Sequence, residues 1–576
     1  MAPRGETAVI GAAALARAQA GNQTGGLHAL WANMKILYIA LFASFGGLLY
    51  GYQQGVLGQA LVMHSFGRAF PAIYDDPAAQ GWLTSVLQLG GWLGAVSSGV
   101  FCEVFSRKRT IFFGSIWVVL GSYLTAGAPT SGFLYAGRFF TGVGVGTLSA
   151  VGPLYNAELA PPEIRGLLVS MQQLATTVGI LCAYWVAYGT NYIGGTGDGQ
   201  SDWAWRTPLI IQGIPAIVLA FGVWLLPYSP RWLVSQNRTE DALIALSRLR
   251  GAPVDDKLIQ IEYLDIQSEC LFEIRMFEKR FPKLSEKWLK NKWFRQLAQY
   301  GQIFQTKDSF KRVAIASLVM FFQQFSGIDS IIYYAPKIFK SLGLTSSTSS
   351  LLATGITGVI NVLTTIPAVL VIDKVGRKTL LMFGSTGMFC TLIIVGVIAS
   401  QFQDDWTSHA AGGWVCVVMI WLYIVNFAYS WGPVSWTLIA EIFPLSIRAK
   451  GTSIGASANW MCNFVIALVT PSMLHSISWG LYIFFAAWLA LGVVFVWFFV
   501  PETKGKTLEQ MDQVFGSKTS AEDLEVLAAI QEEVGLLAAM ESIFDRNGTK
   551  ERENTHISNQ KETCERAQTQ HVDSVV

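Results

Sequence analysis

Charge is what this chain has least of. Only 14% of its 576 residues are Asp, Glu, Lys or Arg, against about 25% in soluble globular proteins. Too few charges remain to cover a water-facing surface of this size. The formal net charge of +2 gives no basis for a nucleic-acid partner. The seven cysteines (Cys102, Cys182, Cys270, Cys390, Cys416, Cys462 and Cys564) have no Cys-x-x-Cys spacing, so they suggest neither a disulfide framework nor a metal site. The six histidines show no ligand spacing either, and no nucleophile–base constellation appears. The expectation is therefore no metal, no cofactor and no enzymatic activity. Residues 1–33 lack the basic, apolar, small-residue order of a signal peptide and read as a loose cytosolic arm.

What is present is apolar sequence in long runs. Hydrophobic residues make up 52% of the chain, and runs of about 20 apolar residues are membrane-spanning lengths. Six segments fall near 34–57, 80–101, 110–127, 132–155, 167–190 and 207–226, within an amino-terminal half covering 34–227. Six more fall near 312–340, 349–372, 379–400, 412–440, 450–475 and 479–500, within a second half covering 312–500. The fold class predicted is an all-α integral membrane protein with twelve transmembrane helices in two six-helix halves. Between the halves, 228–311 alternates charged and apolar residues at a spacing that suits amphipathic helices. After Pro501 the chain is polar. Ser520 to Phe544, with its Ser-x-x-Asp start, reads as one helix, and residues from 545 onward read as disordered.

A short cassette occurs in both halves. GVFCEVFSRK (Gly99 to Lys108) precedes PLYNAELAPPEIRG (Pro153 to Gly166), and DKVGRK (Asp373 to Lys378) precedes EIFPLSIRAKG (Glu441 to Gly451). Glu158 lies seven residues before Arg165, and Glu441 seven before Arg448. The Lys and Arg residues of the short loops gather on one side, while Asp75, Asp76, Asp198, Asp202, Asp404 and Asp405 occupy the other. By the positive-inside rule the basic side is cytosolic, together with both termini and the central loop. The sequons at Asn22, Asn237 and Asn547 then face the cytosol and stay unglycosylated. Topology alone would account for the basic residues, but not for acids recurring at the same spacing.

Two motifs mislead. Gly142, Gly144 and Gly146 (GVGVG) resemble a dinucleotide loop but lie inside an apolar run with no preceding strand, which favours helix packing. Gly505-Lys506-Thr507 resembles the end of a phosphate loop, whose first glycine would have to be Val500.

Taken together, Gly137-Arg138, PLYNAELAPPEIRG, PYSPR (Pro227 to Arg231), QQFSGIDSIIYYAP (Gln323 to Pro336), DKVGRK, WGPVSW with EIFPLSIRAKG, Asn459-Trp460 and PETKG (Pro501 to Gly505) resemble the sugar porters of the major facilitator superfamily, and most closely fungal hexose transporters. The matching segments run from about residue 40 to 510 in family order. Three departures stand out: Ser106 where the family usually has Gly, Tyr228 for Glu, and Glu103 for Asp. The resemblance implies the major facilitator fold and a midplane sugar site opened alternately to each side.

Polar side chains inside apolar spans are costly unless they serve a cavity or each other. The seventh segment places Gln323, Gln324, Asp329, Tyr333 and Tyr334 there. Amides both donate and accept, as sugar hydroxyls do; the alternative is that they only bridge helices. The resemblance adds Gln173, Asn361, Trp436, Asn459 and Trp460 to the substrate-binding set. Aromatic residues suit the C–H face of a pyranose, whereas Trp414, Trp421 and Trp431 read as packing or interface residues. Ten hydroxyl contacts at about 0.5–1 kcal/mol each, less entropy, leave an affinity weak enough for release.

The resemblance also assigns Glu103, Arg107, Lys108, Glu158, Arg165, Asp373, Arg377, Lys378, Glu441 and Arg448 to a cytosolic latch whose pairs change between the two open states. Gln53 occupies the position at which proton-coupled relatives carry an Asp that pairs with the equivalent of Arg138. An amide there suits uniport, while Asp329, where most relatives have Asn, keeps proton symport open. The expected function is transport of a monosaccharide, most often a hexose such as glucose, through the plasma membrane. A transporter-like sugar sensor signalling through its tail is the alternative, and no partner of that tail is identified.

Overall fold

The computed structural model describes residues 9, 12–19, 34–161, 165–281, 306–344, 346–444, 446–504 and 519–542, with single positions between 294 and 304 and at 511, 514 and 515. The described part is helical. A short helix, α1 (Ala12–Gln19), precedes the first half. That half comprises α2 (Met34–Ala43), α3 (Phe45–Ala60), α4 (Pro77–Phe105), α5 (Arg107–Ala126), α6 (Ser131–Leu159), α7 (Arg165–Thr190), α8 (Trp203–Ile211) and α9 (Gly213–Gly222). The central segment holds α10 (Pro230–Ser235), α11 (Thr239–Arg250) and α12 (Lys257–Arg280). The second half comprises α13 (Lys307–Phe325), α14 (Ile328–Ser341), α15 (Ser347–Val375), α16 (Arg377–Phe402), α17 (Ala410–Tyr429), α18 (Trp431–Glu441), α19 (Arg448–Ser476) and α20 (Gly480–Phe499). The tail contributes α21 (Thr519–Glu533).

Taking α2–α3, α8–α9, α13–α14 and α17–α18 as broken single tracts, each half supplies six. Among the described residues, nine helices are long and apolar enough to cross a membrane. Phe221, Leu225, Phe383 and Phe498 lie bare on the outside, as lipid-facing side chains do. The halves meet along α4 with α19 and α7 with α15.

Glycine sets how closely the first-half helices approach. A Cβ on Gly142 would overlap the Leu87 carbonyl, and one on Gly146 the Gly91 carbonyl. Gly142 and Gly146 thus form the seam between α4 and α6, while Gly144 faces Gly114 and Val118 of α5.

Two expectations change. The arm before residue 34 is not loose at 12–19: α1 is helical and buries Ala12 and Ala16 against Ile261 of α12. The tail is not one helix from 520 to 544. Gly535 has φ +78, a conformation L side chains resist, so α21 stops and a second helical stretch covers 536–542. The segment from 545 lies outside the described residues.

Candidate functional site

The seventh tract breaks where its polar residues cluster. Gly327 has φ +93 and separates α13 from α14. The carbonyl freed at Ser326 accepts from Tyr423 Oη at 2.9 Å. A second break at Ser430 separates α17 from α18, and the Trp431 carbonyl beside it accepts from Gln323 Nε2 at 2.8 Å. Broken spanning helices persist only where protein groups or a cavity satisfy the freed backbone. Here side chains do so.

The adjacent amides take different roles. Gln323 is consumed by the protein, since its Oε1 also accepts from Asn459 Nδ2 at 2.7 Å. It therefore ties α13 to α18 and α19, as the helix-bridging alternative anticipates. Gln324 is buried, and among the described residues its Oε1 has no hydrogen-bond partner. Beside it, Asp329 is buried and accepts from Asn463 Nδ2 at 2.5 Å. Asn463 Oδ1 accepts from Tyr333 Oη at 3.0 Å, and that hydroxyl accepts from Gln88 Nε2 at 2.7 Å and Gln54 Nε2 at 3.5 Å. One polar chain thus runs from Asp329 across the boundary between halves.

Gln173 is half-buried and Asn361 is buried, and neither side chain bonds to a described residue. Trp460 is buried between the halves, against Gly91 and 5.3 Å from the Tyr50 ring. Trp436 is 38% exposed. Trp431 is buried and donates to Ser385 at 2.7 Å, a packing role. Arg138 is buried and donates to Gln53 Oε1 at 2.9 Å.

Gln54, Gln88 and Asn463 were missed in the sequence. Their signal was available: each is an amide in an apolar span, and Asn463 sits four residues after Asn459, on the same helix face.

The two cassettes lie at the ends of α4–α6 and α15–α18. Arg107 donates to Glu158 Oε1 (2.7 Å) and Glu103 (2.8 Å), and Glu158 Oε2 accepts from Ser229 at 2.5 Å. Correspondingly, Arg377 donates to Glu441 at 2.8 Å, and Glu441 Oε2 accepts from Thr503 at 2.5 Å. Among the described residues, Lys108 pairs with no acid. Its Nζ donates to the carbonyls of Trp224 (2.7 Å) and Leu226 (2.9 Å), as Lys378 does to that of Trp497 (2.6 Å). Arg448 donates to the Phe443 carbonyl at 3.3 Å. The Arg165 and Asp373 side chains lie outside the described residues. Among the described residues, no ion pair joins one half to the other.

This arrangement of two pseudo-equivalent halves around a polar centre is that of a membrane carrier. The family model for "Sugar (and other) transporter" matches residues 39–515, and the chain belongs to that family. Its relatives include an MFS glucose transporter of Aspergillus flavus, 34% identical over 84% of this chain and 90% of that protein. A probable quinate permease of Aspergillus fumigatus is also 34% identical, over 84% and 88%. Among solved structures, the proton:xylose symporter XylE bound to 6-bromo-6-deoxy-D-glucose matches at 28% identity and a TM-score of 0.66, over 84% of this chain and 100% of XylE. The protein is a multi-pass sugar transporter of the major facilitator superfamily, not an enzyme.

Proposed function

We propose that the chain carries a neutral hexose such as glucose across the plasma membrane by uniport, with both termini cytosolic. The observation that carries this reading is the Gln324 Oε1, unbonded among the described residues and buried beside the break at Gly327 and next to Asp329. It leaves an acceptor for a sugar hydroxyl, and Gln173 and Asn361 offer further amides. Gln53 supports uniport, because an amide that hydrogen-bonds Arg138 exchanges no proton near neutral pH.

A second reading, proton symport through Asp329, has its own support. This carboxylate is buried and, among the described residues, has no ion-pair partner. The similar XylE is a proton:xylose symporter.

Labelled-glucose uptake into vesicles tests both. The uniport reading expects downhill equilibration indifferent to external pH. Accumulation against a gradient, abolished by a protonophore and by Asp329→Asn, establishes symport instead. Absence of any flux, with sugar binding intact, leaves the sensor. Gln324→Ala and Trp436→Ala should each weaken apparent sugar affinity by about 5–10-fold, the worth of roughly 1 kcal/mol. Unchanged kinetics in both at matched expression would remove these residues from the site.

A further inference from the structure

The tail beyond the second half does not stay with that half. Beyond α20, Phe515 lies against α13, with the Arg312 guanidinium 4.3 Å from the centre of its ring. At the start of α21, Asp523 accepts from the Ser446 backbone N–H at 3.0 Å, in the loop that joins the second-half cassette to α19. The rest of α21 then leaves for the central segment. Leu527 and Ile530 pack with Phe272 and Met276 of α12, and Arg275 pairs with Glu533 at 2.5 Å.

That central segment is fastened to the first half. Arg231 of α10 pairs with Glu269 (2.7 Å) and Glu273 (2.6 Å) of α12. Arg250 of α11 holds Glu262 of α12 at 2.5 Å and donates to the Leu159 carbonyl at the end of α6 at 2.8 Å. Trp232 Nε1 donates to the Glu103 carbonyl at 3.2 Å. The amino-terminal arm closes over the junction. The Gln531 amide accepts from the Val9 N–H at 2.9 Å and donates to the Val9 carbonyl at 2.8 Å, while Arg17 pairs with Glu262 at 2.5 Å.

We propose that residues 519–542 are an intramolecular strap that ties the second-half cassette loop to the central helices of the first half and limits separation of the halves at that end. Alternating access needs the cassette ends to part. Ion pairs do not restrain them across the boundary among the described residues, whereas the tail contacts both sides. Glu262 gives the arm a role in the same device, because it holds Arg17 of the arm and Arg250 of the central segment together. The strap goes beyond the transport reading and relies on it for one of two readouts.

The experiment uses the full chain in vesicles. Leu527→Asp with Ile530→Asp should undock α21, read as faster protease cleavage of the tail. Labelling of a cysteine placed at Gln173, reached from the cassette side, should then rise about twofold or more, and the maximal uptake rate of the same tail variant with Gln173 intact should rise similarly. The opposite variant, Ser446→Cys with Asp523→Cys, should lower both when oxidised and recover on reduction, with each single variant as control. An undocked tail that leaves labelling unchanged, or an oxidised pair that changes nothing, overturns the strap. A wild-type chain that shows no flux, while labelling still follows docking, overturns the transport reading and leaves the strap standing.

Discussion

The two cassettes do the same work with different parts. In the second half, α16 begins at Gly376, whose φ of +101 suits a residue without a side chain. Its first N–H groups are capped by a remote carboxylate: Glu502 accepts from Arg377 N at 2.9 Å and Lys378 N at 3.0 Å. An anion at a helix amino terminus is favoured by the unpaired N–H groups and the helix dipole. In the first half, the residue placed like Glu502 is Tyr228 and the residue placed like Gly376 is Ser106. Ser106 holds φ +98, a strained value for a side-chain-bearing residue. Its own Oγ accepts from Arg109 N at 3.4 Å, supplying a local cap. The Tyr228 ring stacks on Trp232 and lies 5.0 Å from Lys108 Nζ. The two departures from the family pattern therefore belong together: loss of the remote carboxylate accompanies gain of a local hydroxyl.

Burial separates the cassettes as well. The Arg107 and Glu158 side chains are 4% and 6% exposed, whereas those of Arg377 and Glu441 are 9% and 30% exposed. Removing one partner of a buried pair leaves a desolvated charge and costs about 3–5 kcal/mol, while a partly exposed pair is worth about 0–1 kcal/mol. Arg107→Ala, which takes the cation from Glu158 at 6% exposure, should therefore lower the unfolding temperature in detergent far more than Arg377→Ala, which takes it from the 30%-exposed Glu441. Equal losses would mean that the difference in burial carries no energetic weight.

The repeat itself was legible in the sequence, because acid-to-base spacing survives as a string. The partners of its lysines were not. Lys108 and Lys378 bond backbone carbonyls near Trp224 and Trp497, and a carbonyl has no letter of its own. Ser229 and Thr503 were overlooked for a related reason, since a lone hydroxyl in a turn has many explanations. The central site was half legible. The amides of the seventh tract could be found as polar residues in an apolar span, but only the fold shows that Gln323 is spent on Trp431 and Asn459 while Gln324 is not. The Ser106 and Tyr228 departures were visible singly. Their pairing needed the geometry that brings Glu502 to the opposite cassette.

Exchanging the caps sharpens the comparison at a smaller scale. Glu502→Tyr should destabilise the second half by about 1 kcal/mol, since Gly376 has no side chain to replace the lost acceptor. Ser106→Gly in the first half trades a strained φ against a long cap and should change stability by less than about 1 kcal/mol. Ser106→Gly with Tyr228→Glu should be more stable than the sum of its single changes, measured by the double-mutant cycle in thermal unfolding. Simple additivity would show that the two positions are independent.

The smallest effect is one of pH, and it belongs to the second half alone. Burial would raise the Glu502 carboxyl, but hydrogen bonds from the backbone N–H groups of Lys504, Arg377, Lys378 and Thr503 outweigh it and hold it below the ordinary value. A carboxylate depressed in the folded state contributes its stability above its unfolded pKa, about 4.3 for Glu, and loses it as pH falls through the lower folded value. The unfolding-temperature gap between wild type and Glu502→Gln should therefore be constant from neutral pH down to about 5, then shrink on further acidification. Tyr228→Phe in the first half should show no such closing gap, because a phenol holds its proton throughout that range. A gap for Glu502→Gln that stays open well below pH 4 would mean that the cap does not depend on the ionised carboxylate. The first and second cassettes would then differ in shape only, with hydrogen-bond geometry rather than charge holding the start of α16.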